Sequence, residues 1–214
     1  MLPFTHAQFL DVFRDYNLAI WPAQVVAVVL GLAALALPFA RPAAAGRIVA
    51  AILSVMWLWN GVVYHGLFFS GINKAAWLFA GLFVLEGLLL AEAAHAGRLA
   101  FPSKRGAAAY TGIGLSLYAL VLYPLIGHLS GLAWPAAPTF GTAPCPLTIF
   151  TFGTLLLAGP SVPRRLLVVP ALWSVIGGSA AFLLAVPQDW MLLASGIVAV
   201  PWLLAMRGGG REPR

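Results

Sequence analysis

An all-α, polytopic membrane protein that crosses the bilayer seven times follows from three features of this chain. The first is composition. Of 214 residues, 62% are hydrophobic and 8% charged, against about 25% charged in a soluble domain. So few charges cannot cover a water-facing surface, so lipid is the solvent for most of the chain. The second is segmentation. Apolar runs cover residues 17–39, 48–69, 75–94, 108–127, 145–158, 166–186 and 190–206. A crossing helix needs about 20 apolar residues, with about 17 as the lower limit, and only 145–158 falls short. The third is charge asymmetry. Two of the twelve Lys and Arg residues, Arg14 and Lys74, fall on one side of this threading and ten on the other. Basic residues accumulate on the cytoplasmic side. The N-terminus is therefore expected outside and the C-terminus inside, and an even number of spans would break the alternation.

The same composition excludes other classes. The net charge of +6 comes from basic residues standing singly or in pairs between apolar runs, with no basic, aromatic-interleaved patch to hold nucleic acid. The single cysteine excludes an internal disulfide framework and multi-cysteine metal sites. Arg outnumbers Lys ten to two and Ala and Gly are abundant, which points to a GC-rich bacterial genome and a bacterial inner membrane.

Residues 1–16 form an amphipathic interfacial helix by this reading. Thr5 and Gln8 make a capping box, Phe4 and Phe9 a hydrophobic staple, and Phe9, Leu10, Phe13 and Tyr16 line a face for the membrane surface. Residues 17–206 are the seven-helix domain, and 207–214 a polar cytoplasmic tail. Asn73 and Asp189 stand where N-caps for segments three and seven belong. Segments two-three and six-seven make similar tight hairpins. With segments one and five before them, the chain reads as a 3+1+3 arrangement around the fourth helix. Pro124, Pro170 and Pro201 lie inside helices, where each frees a carbonyl. Ser174, Gly177, Gly178, Ala180 and Ala181 form a small-residue packing face. Trp21, Trp77, Trp134 and Trp190 fall at the outer interface, as an aromatic belt.

The stretch Trp134–Gly153 holds four prolines, no charge and the only cysteine. It reads as an outer loop dipping into the membrane and turning into the short fifth helix, with Cys145 at its cap and Pro146 in its first turn. A helix N-terminus lowers a thiol's pKa, which makes Cys145 either a reactive thiol or a small packed residue. Thr148 and free N–H groups at that helix start could instead hold an anion.

Polar side chains at membrane depth ask for a reason. Asn60, Tyr64 and His65 lie in the outer half of segment two, Tyr123 and His128 near the outer end of segment four, and Asp189 and Asn73 at outer turns. Together with Cys145 they outline a polar, aromatic-lined cavity open to the outside. Glu86 sits near the middle of segment three, either as a neutral packed acid or as a proton-coupling one. No cofactor is predicted. His65, His128 and Asp189 carry no local metal-ligand motif, and segment seven lacks the Lys that retinal needs.

Four stretches resemble a family of small bacterial multi-pass membrane proteins known only as a domain of unknown function. They are Asn17–Gln24 (NLAIWPAQ), Tyr64–Asn73 (YHGLFFSGIN), Pro138–Gly153 (PTFGTAPCPLTIFTFG) and Trp173–Asp189, ending in VPQD. The resemblance implies an integral membrane protein and carries over no catalytic residue. The functions that fit are small-solute or ion transport through the outward cavity, a membrane-embedded enzyme or redox protein using Cys145 or His65, and an accessory subunit of a membrane complex.

Overall fold

The computed structural model describes residues 3–102 and 105–208. Lys104, Arg211, Arg214 and the tail beyond residue 208 lie outside the described residues. Among the described residues nine α-helices follow one another: α1 (His6–Ala19), α2 (Ala23–Ala40), α3 (Pro42–Trp59), α4 (Ala76–His95), α5 (Ala107–Leu117), α6 (Tyr123–Leu129), α7 (Pro144–Ala158), α8 (Val168–Leu183) and α9 (Trp190–Gly208). A π-helical stretch, Asn60–Phe68, prolongs α3, and a second, Tyr118–Leu122, joins α5 to α6. Six helical segments among the described residues are long and apolar enough to cross a membrane: 23–40, 43–71, 76–95, 107–129, 164–183 and 187–206.

The α1 cap forms as the sequence predicts. Thr5 Oγ1 accepts from Gln8 N at 3.2 Å and Gln8 Oε1 accepts from Thr5 N at 2.8 Å. The Phe4 and Phe9 rings stack at 6.1 Å. The apolar face, however, turns toward protein. Phe9, Phe13 and Tyr16 are buried against Tyr64, Phe68 and Phe69 of the neighbouring span. Asn17 also belongs to α1, since the chain breaks over Ile20–Pro22 before α2 begins.

The α2–α3 connection is tighter than expected. Pro42 occupies the first turn of α3, where its missing N–H costs nothing. The break is Arg41 alone, and Arg47 lies within the helix. Gly31 of α2 forms a notch: a Cβ there would lie 2.7 Å from Phe140 Cζ. Phe140, from the loop before α7, fills it and packs edge-on to Phe150 at 5.0 Å. On α4, Gly87 lets Leu58 approach, and its carbonyl accepts from Ser54 Oγ at 2.7 Å.

The prolines differ in effect. Pro124 follows the π stretch of the fourth span, where its lack of an N–H and its ring disfavour the ordinary i→i+4 bond. Pro170 falls in the first turn of α8 and is tolerated there, while Pro201 lies inside α9.

Helix α7 holds the centre. Every one of its residues is buried except Cys145, which is half-buried. It packs on α5 through Gly112 and Gly153, whose missing side chains leave room for backbone on backbone. Its 15 residues span about 22 Å at 1.5 Å each, and protein on all sides relieves it of matching the hydrocarbon thickness. Trp57 Nε1 donates to Thr151 Oγ1 at 3.0 Å. By contrast α2 is only 28% buried, so it and α7 sit in different surroundings. The small-residue face of α8 behaves as read: Gly177 and Gly178 admit Leu192 and Leu193 of α9.

The bundle has two unlike ends. At one, Glu92 pairs with Arg98 at 2.9 Å and with Arg165, tying the end of α4 to the turn before α8. Ser161, just past α7, donates to the carbonyl of Ala100 there. At the other end lie α1 and the 130–143 loop. Here Trp21, Trp134 and Trp190 are exposed, with Trp21 and Trp134 edge to face at 5.7 Å.

Candidate functional site

The cavity of interest lies at the α1 end, with a volume of about 250 Å³. Five segments build it. Helix α1 supplies Phe4, Phe9 and Phe13, and the π stretch supplies Tyr64 and His65. Tyr123 comes from the start of α6, Cys145 from the start of α7, and Trp173 to Leu184 from α8; Asp189 closes it. The cavity expected to open outward is thus walled on one side by α1. Most of its surface is apolar and aromatic rather than polar.

The loop before α7 is anchored by residues far away in sequence. Tyr16 Oη donates to the carbonyl of Thr142 at 2.7 Å and accepts from Trp59 Nε1 at 2.8 Å. Asn17 Nδ2 donates to the carbonyls of Pro135 and Ala137 at 2.7 and 2.8 Å. Asn60 Nδ2 donates to Met56 O at 2.9 Å and to Gly141 O at 2.8 Å. Gly141 needs its freedom, with φ +74° and Ala27 close by. Asn60 is therefore bound up in holding the loop and does not line the cavity.

Pro144 opens α7, so Cys145 is its second residue rather than its cap. Pro144 and Pro146 together remove two of the N–H groups an anion would use. Thr148 Oγ1 donates back to Pro144 O at 2.9 Å. The anion reading of this helix start loses its donors.

Asp189 is 5% exposed, and its Oδ1 accepts from Tyr123 Oη at 2.5 Å. Its side chain turns into the bundle beside the Cys145 thiol instead of being free to cap α9. Asn73 Oδ1 accepts from Ala75 N at 3.1 Å, and Asn73 stands two residues before the N-cap position of α4. His65 is fully buried, ringed by Phe83 at 4.7 Å, Tyr64 at 5.0 Å and Trp173 at 5.1 Å between ring centroids. Neither His65 ring nitrogen has a hydrogen-bond partner among the described residues, while Trp173 stands beside the Cys145 thiol.

The structure thus gathers Tyr64, His65, Tyr123, Cys145 and Asp189 around one void, and leaves Asn60, Thr148 and Glu86 outside it. Glu86 is buried on α4, its two carboxyl oxygens without a hydrogen-bond partner among the described residues. His128 is exposed at the end of α6 and does not approach His65. Among the described residues no group of three His, Cys, Asp or Glu side chains converges on a metal-sized site. The α1 phenylalanines and Trp173 were not singled out from sequence as site residues. The signal for α1 was its apolar face, read as facing lipid.

One family model matches residues 6–208, from the first residue of α1 to the last of α9. The chain belongs to the family of unknown function DUF6064. The DUF6064 match takes in α1 along with the spans, so the helix that walls the cavity is part of the family's unit. No curated protein and no solved structure matches this chain.

Proposed function

We propose that this DUF6064 protein binds a small solute or ion in the chamber beneath α1 and passes it across the bacterial inner membrane. One observation carries the reading: a chamber of about 250 Å³ lined by His65, whose two buried ring nitrogens have no partner among the described residues. Buried polar atoms in native proteins are almost always satisfied, and a bound solute would satisfy these. Glu86 serves in this reading as the mid-membrane acid that couples movement to a proton.

The chain crosses seven times in this proposal, N-terminus outside. Helix α7, the fifth crossing in chain order, is the one added to the six long apolar segments. It is supported by the run of α7 from Cys145 at the chamber to Ser161 beside Ala100. The arginine pairs at that far end and the exposed tryptophans at the α1 end support the orientation. The 3+1+3 arrangement rests on the two close hairpins, α3–α4 and α8–α9.

Cys145 is the chain's only cysteine and lines the chamber, which makes it a native reporter. In sealed vesicles a membrane-impermeant thiol reagent should modify Cys145 from the α1 side, and loosening α1 should speed the reaction. A thiol that stays inert from both sides, in wild type and in a loosened α1 variant, defeats the reading. Flux in proteoliposomes that is unchanged by Glu86→Gln removes the coupling role alone.

A second reading is favoured by the Cys145 thiol lying against the Asp189 carboxylate: thiol chemistry within the membrane. Cys145→Ala separates the two. Solute transport survives this substitution, whereas thiol chemistry ends.

A further inference from the structure

The chamber's charge and wall chemistry say what kind of solute fits it. Asp189 is its sole formally charged lining side chain among the described residues, and it forms no ion pair among them. Its recorded support is the Tyr123 hydroxyl and the neighbouring Cys145 thiol. A buried carboxylate with no counter-ion is costly, and far more so at membrane depth. Facing it are the rings of Phe9, Phe13, Tyr64, Phe69 and Trp173. Phe13 and Tyr64 stack at 5.0 Å, Tyr64 and Phe69 at 5.7 Å. Aromatic faces attract cations, and desolvated cages of Trp and Tyr suit ammonium groups best.

Resting on the solute-binding reading above, we propose that the chamber takes a small organic cation, an amine or quaternary ammonium, with Asp189 as its counter-ion and the aromatic wall as its cage. A neutral His65 imidazole can accept an N–H from a primary ammonium through one of its partnerless nitrogens. Other ligand classes fit worse. An anion would meet the carboxylate and find neither a Lys or Arg lining the chamber nor the N–H groups of Pro144 and Pro146. A hard metal cation such as Ca²⁺ or Mg²⁺ wants six or more oxygen ligands, which a mainly aromatic wall does not offer, and among the described residues no three His, Cys, Asp or Glu side chains converge to hold a softer one. Phe4, Phe9 and Phe13 of α1 complete the cage, so docking of α1 closes the site around its occupant.

The test uses the full chain in lipid nanodiscs, with the rate of Cys145 modification as the readout of occupancy. Choline is compared with 3,3-dimethyl-1-butanol, its uncharged isostere, with benzoate, and with sodium at equal ionic strength. Choline should slow modification at concentrations about tenfold or more below those the alcohol requires, and sodium and benzoate should not slow it. Asp189→Asn should erase the difference between choline and the alcohol. If that variant does not fold, Phe13→Leu on α1 should weaken choline and spare the alcohol, because it keeps apolar volume and loses a π face. Equal protection by choline and the alcohol, or protection by benzoate or sodium alone, overturns the cation assignment and leaves the solute chamber standing. No protection by any probe on a reactive Cys145 also overturns it. An inert Cys145 overturns the parent reading as well.

Discussion

Removing one oxygen atom from α1 should unlock the chamber. Tyr16 Oη joins three segments: it donates to Thr142 O at 2.7 Å and accepts from Trp59 Nε1 at 2.8 Å. Tyr16→Phe keeps the ring and its contacts with Tyr64 and Phe68 at 5.3 and 5.2 Å, so packing is retained. Two hydrogen bonds at about 1 kcal/mol net each weaken α1 docking by about 2 kcal/mol, or about 30-fold in the docked-to-undocked ratio. An undocked 14-residue helix is marginal in water, so its amides then exchange. Hydrogen–deuterium exchange in nanodiscs should show residues 9–19 exchanging about 30-fold faster, with α3 and α4 unchanged. Unchanged exchange in α1 refutes the anchoring role, and equal acceleration throughout the bundle shows that the hydroxyl supports the whole fold rather than the docking. Burial also pushes the Tyr16 phenol above its ordinary value of about 10. The docked state therefore holds that proton more tightly. Its contribution is whole below about pH 10 and fades as pH rises past it. Tryptophan fluorescence should report alkaline undocking in wild type that Tyr16→Phe lacks.

Four further substitutions test the packing and the backbone. Gly153→Ala puts a Cβ 2.7 Å from Gly112 O and should lower stability by about 1–3 kcal/mol, while Gly81→Ala meets nothing within 4 Å and should be neutral or slightly stabilising; thermal melts of the pair decide. Phe140→Ala empties the Gly31 notch and should cost about 3–5 kcal/mol in the same melts. Ala185, just past α8, sits at φ +50°, where a residue with a Cβ is strained. Ala185→Gly should therefore raise stability by about 1 kcal/mol and Tm by about 2–4 °C, and a lower Tm would contradict that backbone geometry.

Much of the fold was legible because it is local. The Thr5–Gln8 cap and the Phe4–Phe9 staple need only residues within one or two turns. The α7 segment 145–158 was read within one residue of its observed start. Of the candidate residues, Tyr64, His65, Tyr123, Cys145 and Asp189 line one void in the structure. Asn60 was not separable from them by periodicity. Its partner carbonyl, Gly141 O, lies 81 residues away, and nothing in its own segment announces that bond. The start of α3 was missed because Pro-Ala-Ala-Ala-Gly-Arg reads as a turn, although proline at a first turn is also a helix opening.

What the chain determines unaided is its solvent. With 8% charged residues, its segments must be helices with their backbone bonds closed internally, and the caps and breaks follow from neighbours along the chain. What only the tertiary structure decided is which apolar faces meet lipid and which meet protein. Inside a membrane the two surroundings are equally greasy, so hydrophobicity carries no contrast between them. That is why α1 was assigned to lipid yet walls a chamber, and why α7, shorter than any of the six long apolar segments, turned out to be buried along its length against α5, α8 and α9.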